Sequence, residues 1–501
     1  MKPPGFENPA GPRRRRAMSR YFLRAEAINL SSVFDDTSQV SVIRGSGLMC
    51  LVGPLKVESW LAENRPGSIT LSKGASAGVF AFEGKDDADA AGVRDDVEAL
   101  LQQGALNHMT FAVDVTPATA EGGWKPEREA LLAQVRWRQM RSPSFAFPDL
   151  ENFIGGPCAF DKVRPAARMC DEGPVSASVH ARLSYGRQER QKVFSRFAPV
   201  AKGLTFTDDL KSLAGRNEGK PSDRKVAVIY IDGNGFSGHQ NRLCQSPVQQ
   251  RMWDEAIQEL RNHWLEDFLV AAATDDGFRT ADTPKKLRIE ILLWGGDDLL
   301  LVVPGWRGWR TLASFYDAAA SWAVPMGNDG EYLKHAAGVV FCHDSAPLLQ
   351  VRRLARKLCD EVAKGDTSKE PEGVDGRKQN LVAYEVLESF DHVGPDFDEH
   401  SKRRRQGLPA GSLRLDGEKV SSALAAAKVV LETFPRKKLH DAVAAFYGGN
   451  EKGALETASW GERELDEPTR TALHRLLDAL GGGPGFSPWL HFAETWDYLE
   501  G

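Results

Sequence analysis

Asp232 closes an almost uninterrupted apolar run, Val226 to Ile231, and is followed at once by Gly233-Asn234-Gly235-Phe236-Ser237-Gly238. Further along, Leu292-Leu293-Trp294 leads into Gly295-Gly296-Asp297-Asp298, and Leu299-Leu300-Leu301 leads out. Adjacent carboxylates between two apolar strands cost desolvation and mutual repulsion unless a cation is present. Hard oxygen donors on a partly open site suit two Mg2+ or Mn2+ ions, completed by waters and triphosphate oxygens. Such ions activate an attacking hydroxyl and stabilise a pyrophosphate leaving group, which is nucleotidyl transfer. Gly295 and Gly296 let backbone pass a phosphate or base with no side chain between. The glycines of the 233–238 loop leave amides free to cradle a triphosphate. Each piece also has an ordinary reading, because Gly-Gly-Asp-Asp is a good hairpin turn and Asp-Gly often ends a strand. The cation is favoured because both pieces fall at strand ends of one unit.

That unit reads βαββαβ with an added strand. Val226–Ile231 is apolar throughout, as a strand covered on both faces must be. Ser246-Pro247 reads as an N-cap with proline at the first helical position, and Met252, Ala256, Leu260, Trp264 and Phe268 mark one apolar stripe of the helix that follows. Strands over 287–294 and 299–303, a helix over 309–322, a strand over 336–342, a helix over 348–363 and a strand over 381–387 complete it. In this order the first strand sits beside the hairpin, so Asp232 converges with Asp297 and Asp298.

An earlier stretch has the same rhythm: a strand over 21–30, a helical segment over 41–61 interrupted near Gly53-Pro54, a hairpin of 68–71 with 78–82 around Gly74, a helix over 87–101 and a strand over 109–115. It has no acidic pair at a strand tip. The fold class is therefore α+β, two ferredoxin-like palm domains with a connector and a C-terminal helical domain. The boundaries read as a disordered basic arm at 1–20, a first palm at 21–118, a connector at 119–215, a second palm at 216–395 and helices at 396–501. The helices expected in the last are 421–434, 438–446 and 467–480, broken by Gly481-Gly482-Gly483-Pro484.

Composition sets the frame. The chain has 501 residues, 42% hydrophobic and 27% charged, with a net charge of −5; this is globular composition, and it argues against coating nucleic acid by bulk charge. Arg13 to Arg16 lie in a Pro/Gly-rich arm. No apolar run approaches the ~20 residues that span a bilayer, and no signal-peptide pattern opens the chain. Six cysteines without CxxC spacing suggest reduced cytoplasmic thiols. Cys158 and Cys170, with His180 nearby, fall short of a zinc ligand set. Trp294, Trp306 and Trp309 read as packing residues.

Val228–Ser237 (VIYIDGNGFS) and Leu292–Pro304 (LLWGGDDLLLVVP) resemble the polymerase/cyclase palm of the large subunit of type III CRISPR effectors, and more distantly the GGDEF diguanylate cyclases. His335–His343 with Ala346-Pro347-Leu348, Leu354–Lys364 and Arg377-Lys378-Gln379-Asn380 are similar, in order, to further segments of that palm. Val42–Met49 (VIRGSGLM) is similar to the helix start of its first palm, which lacks metal ligands.

The resemblance implies that one palm holds donor ATP with metals while the other presents acceptor ATP, giving a cyclic oligonucleotide messenger. Asp232, Asp297, Asp298 and the Gly233 carbonyl would hold the ions. Gly295 and Gly296 would lie under the nucleotide, Lys364 would face the triphosphate, and Gly45-Ser46 would border the acceptor. Lys364 also suits the dipole of a helix end, and His343 fits either a base contact or a strand cap.

Departures bear on the reading. Only isolated His343-Asp344 and His440-Asp441 pairs appear, and no helical domain precedes the first palm, so DNase activity is not expected. Asn234 replaces a second acid. The expected partners are ATP and either guide or target RNA with CRISPR effector subunits, or further copies of the chain; no membrane is implied. Two other readings stand beside the cyclase: a non-catalytic scaffold that binds nucleotide, and a GTP-using cyclic dinucleotide synthase.

Overall fold

The computed structural model describes residues 18–499 except 119–122, 142–151, 216–219, 328–329, 366–377, 388–392, 394–395, 406–407, 409–412 and 482–484. Arg13 to Arg16, Arg377 and the Gly482-Gly483-Pro484 break lie outside the described residues.

The first unit runs β1 (Ser19–Ile28), α1 (Val40–Asn64), β2 (Ile69–Lys73), β3 (Ala77–Gly84), α2 (Asp87–Leu101) and β4 (Thr110–Pro117). Its antiparallel sheet has the order β2-β3-β1-β4, the ferredoxin-like arrangement. The Asp86 side chain caps α2 by accepting from the Asp89 amide. The expected interruption at Gly53-Pro54 does not occur, and α1 passes through it. Every residue from Val40 to Pro54 is buried, so packing outweighs the backbone bond that proline removes. The sequence reading found no apolar run of bilayer length, yet by length and mean hydropathy this helix is long and apolar enough to cross a membrane; 83% of its most apolar window is buried inside the protein. The opposite face of the sheet is covered by α3 (Trp124–Arg141) through Phe22, Val79, Trp124 and Leu131. Helix α4 (Ala177–Phe194) packs along α1.

The second unit runs β5 (Lys225–Gly233), α5 (Phe236–Leu243), α6 (Pro247–Thr274), β6 (Glu290–Gly295), β7 (Asp298–Pro304), α7 (Gly308–Ala319), β8 (His335–His343), α8 (Leu348–Lys357) prolonged by a π-helical turn (Leu358–Ala363), β9 (Leu381–Val386) and β10 (Arg414–Asp416). The sheet order is β10-β9-β8-β5-β7-β6. Only β8 and β9 pair in parallel. Removing β9 and β10 leaves the order of the first sheet, so the two units share one topology. Ser246 caps α6 with Pro247 at its start. The buried stripe of α6 is Trp253, Ile257, Arg261, Trp264, Leu265 and Phe268, whereas Met252 is exposed. The expected stripe was one position out in its first turns, because Trp253 and not Met252 meets Phe236.

The terminal helices span Val420–Thr433, Arg436–Tyr447, Glu451–Arg463, Glu467–Ala479 and Ser487–Thr495. A buried network ties them to the second sheet: Arg405 donates to Glu385 at 2.9 Å and to Glu494 at 2.9 Å, and Tyr384 Oη meets His491 Nδ1 at 2.8 Å. All six cysteines are free thiols.

Candidate functional site

Strands β5 and β7 pair through Ile231 and Leu299, and one residue beyond that pair stand Asp232 and Asp298. Gly295 and Asp298 close the β6–β7 hairpin, which leaves Asp297 at its tip. The three acids share one field. Burial, Asp298 and Asp297, in that order, push the Asp232 carboxyl up to about 7 against the pull of Lys364. Burial and Asp298 likewise raise Asp297, while Arg261 and Lys364 oppose the shift. Carboxylates crowded in this way favour a cation between them.

Three neighbours partly supply that charge or its hydrogen bonds. The Lys364 ammonium bonds Asp232 and lies 3.4 Å from Asp360. It sits one residue past the π-helical turn, where its amide bonds the Cys359 carbonyl five residues back at 3.0 Å; the wider turn carries the side chain to the end of β5. Tyr230 donates its hydroxyl to Asp298, and burial with that carboxylate raises the phenol well above its usual range. The buried Arg261 guanidinium donates to the Gly296 carbonyl and lies 4.8 Å over the Trp294 ring. Sequence reasoning missed Tyr230 and Arg261. An arginine four residues from Ile257 and from Leu265, on the apolar stripe of α6, was the available signal.

Several residues assigned to nucleotide stand elsewhere. Gly45 and Ser46 do not border an open acceptor site: a Cβ at Gly45 would overlap the Arg182 carbonyl where α1 crosses α4. Ser46 is fully buried and donates to the Val33 carbonyl at 2.8 Å. The 233–238 loop is shorter than expected because α5 begins at Phe236. The Phe236 ring is buried under Gly233, edge-on to Trp253 and His335. Asn234 is a buried latch whose amide side chain donates to the Gln379 carbonyl at 2.9 Å and whose backbone N–H donates to the Lys334 carbonyl at 2.7 Å. Asn380 completes it by accepting from the His335 amide at 2.8 Å. Gly235 and Ser237 are exposed.

Gly295 has φ +151° and Gly296 φ +59°, backbone states that favour glycine. The side of Gly295 where a Cβ would stand is filled by Ala75, in the β2–β3 turn of the first unit. That turn is held by α6, because Asp254 accepts from the Lys73 amide at 3.0 Å. The first unit therefore reaches the acidic hairpin itself. His343 lies at the far end of β8, 2.7 Å from the Ser345 hydroxyl, and caps the strand. Trp294, Trp306 and Trp309 pack as expected.

In donor chemistry Asp232, Asp297 and Asp298 fit a hard divalent cation, whose charge would offset the burial and mutual repulsion that raise Asp232 and Asp297. In the present side-chain arrangement, no group of three His, Cys, Asp or Glu among the described residues is set to hold a metal ion. Lys364 takes an Asp232 oxygen and Tyr230 an Asp298 oxygen.

No protein-family model and no curated protein matches the sequence. Among solved structures, the chain is similar to the Csm1-Csm4 cassette in complex with cA4, at TM-score 0.50 and 12% identity over 97% of this chain and 71% of that one. The apo Csm1-Csm4 cassette gives TM-score 0.49 at 13% identity over 98% and 71%. The complex with AMPPNP gives TM-score 0.43 at 12% identity over 73% and 57%, so this chain spans little more than half of that one. A protein whose sequence matches no family model thus carries the palm-domain fold seen in Csm1 of the Csm1-Csm4 cassette.

Proposed function

We propose that the protein is a metal-dependent nucleotidyltransferase that joins ATP into a cyclic oligoadenylate, releasing pyrophosphate, as part of type III CRISPR-type defence. The observation that carries this reading is the meeting of Asp232, Asp297 and Asp298 at adjacent strand ends of one of two like-folded units, with the turn of the other unit touching the same hairpin. The Csm1 fold supports it, since Csm1-Csm4 cassettes have been solved with AMPPNP, pppApA and cA4.

Asp232, Asp297 and Asp298, with the Gly233 carbonyl, would hold Mg2+ or Mn2+, whose chemistry is activation of a ribose hydroxyl and neutralisation of departing pyrophosphate. The chain's own residues do the rest. Lys364 stands at Asp232, where its ammonium can turn to a triphosphate once Asp232 is otherwise paired. Arg261 fixes the Gly296 carbonyl and lends positive charge to the turn, and Tyr230 orients Asp298. Effector subunits of an RNA-guided complex are the partners this reading implies.

One observation favours a second reading: Lys364 and Tyr230 satisfy two of the acids without any metal, as a nucleotide-binding scaffold would require. Incubation with each NTP and Mg2+ or Mn2+, with and without target RNA, followed by product masses, separates the readings. Cyclic adenylates support the synthase. Bound nucleotide without any product under every condition supports the scaffold, and a guanylate product supports a cyclic dinucleotide synthase.

A further inference from the structure

Strand β6 is the edge of its sheet and ends in the acidic turn. A one-residue slip of a strand turns every side chain to the other face. This strand carries a bulge between Ile291 and Leu293, which bends it and re-aims the residues leading into the turn.

Helices α1 and α4 grip β6 before the bulge and at it. Arg44 of α1, with no exposed side-chain surface, forks onto Glu290, Nε to Oε1 at 2.8 Å and Nη2 to Oε2 at 2.5 Å. The same Nη2 reaches the Asp208 carbonyl at 3.0 Å. One helical turn on, α1 presents Gly47, where a Cβ would overlap the carbonyl of the bulged Leu292. Arg190 of α4 completes the grip, donating to the Ile289 carbonyl at 2.5 Å and lying 3.4 Å from Glu290.

We propose that Arg44 and Glu290 are positioning residues: their buried fork sets the register of β6 and so the attitude of Asp297 and Asp298 relative to the first unit. A buried bidentate pair has the geometric specificity for this task, whatever its net stability. The activity arm of the test rests on the nucleotidyltransferase reading; the exchange arm does not.

The test compares Glu290→Gln, Arg44→Lys and the double variant Arg44→Met/Glu290→Met with wild type. Glu290→Gln leaves Arg44 unpaired and should lower the thermal midpoint. Arg44→Lys keeps the charge without the fork, and the double variant removes the pair but leaves the buried Arg190 without its carboxylate, so its midpoint should rise above that of Glu290→Gln and stay below wild type. In both of these, amide exchange at 290–298 should still rise by about tenfold. Their kcat for pyrophosphate release should fall by about a hundredfold, as for a displaced reacting group, with KM for ATP near wild type. Wild-type exchange at 290–298 in either Arg44→Lys or the double variant overturns the proposal. If wild type itself releases no pyrophosphate, the functional reading fails, and the exchange result still decides the role of the pair.

Discussion

Gly295 and Ala75 stand back to back: the turn of the first unit fills the space where a side chain on Gly295 would be. This contact makes the Gly-Gly-Asp-Asp hairpin a junction between the units as well as a candidate metal turn. It also gives the first glycine a structural reason that needs no ligand. Gly295→Ala forces overlap with backbone on top of a positive φ and should cost about 2–4 kcal/mol. Gly296→Ala meets only atoms at 4.0 Å and should cost about 1 kcal/mol, for its positive φ. Urea unfolding of both variants checks the order, and equal costs would contradict the contact.

Ser46 tests the corrected role of the first palm's helix. Ser46→Ala removes the bonds to the Val33 and Val42 carbonyls, at 2.8 and 3.2 Å. It should cost about 1–3 kcal/mol of stability and leave ATP affinity unchanged. Weaker ATP binding in a variant of wild-type stability would restore Ser46 to the acceptor site.

Asp254 predicts a pH dependence. Burial pushes its carboxyl up to about 7, against bonds from Lys73 and Gln258, whereas an unfolded aspartate titrates near 3.9. Between those values the folded chain holds the extra proton, so stability falls as pH rises from about 4 to about 7, and the cost persists above that. Asp254→Asn removes this dependence. Its advantage over wild type should grow across the same window to roughly 2–4 kcal/mol. A constant difference between pH 4 and 8 in thermal or urea unfolding would contradict the raised carboxyl. Asp232, also held near 7, adds the same sign in metal-free protein.

Lys364 predicts competition at Asp232. In the absence of nucleotide, Lys364→Met removes the ammonium from the carboxylate and should tighten Mn2+ binding by about tenfold; Asp232→Asn should weaken it. Water-proton relaxation with Mn2+ reads both. Weaker Mn2+ binding in Lys364→Met would show that the lysine organises the carboxylates and does not compete for them.

The acids and their strands were legible because both rest on local pattern. Val226–Ile231 is nearly all apolar, and Gly-Gly-Asp-Asp interrupts two apolar runs, so strand ends and turn coincide with the chemistry. The matching sheet orders followed from the repeated βαββαβ rhythm. What was not legible depends on contacts distant in sequence. Gly45 was given an acceptor-site role by resemblance, but α4 takes the space where a Cβ on it would stand. Phe236 follows a glycine loop in sequence, yet it folds under Gly233 to meet Trp253. Pro54 signals a break that the buried faces of α1 override. Arg261 reads as a polar intrusion until Trp294 and Gly296 are placed beside it. Lys364 was found by resemblance, and its approach to Asp232 depends on a π-helical turn that no propensity announces.

The most direct test of the central claim is pyrophosphate release from ATP with Mg2+ or Mn2+, with and without target RNA, by wild type and by Asp297→Ala/Asp298→Ala. Wild type should release pyrophosphate and form cyclic adenylate, and the double variant should remain folded with release reduced by about a thousandfold or more. Equal release by the two proteins would contradict the account.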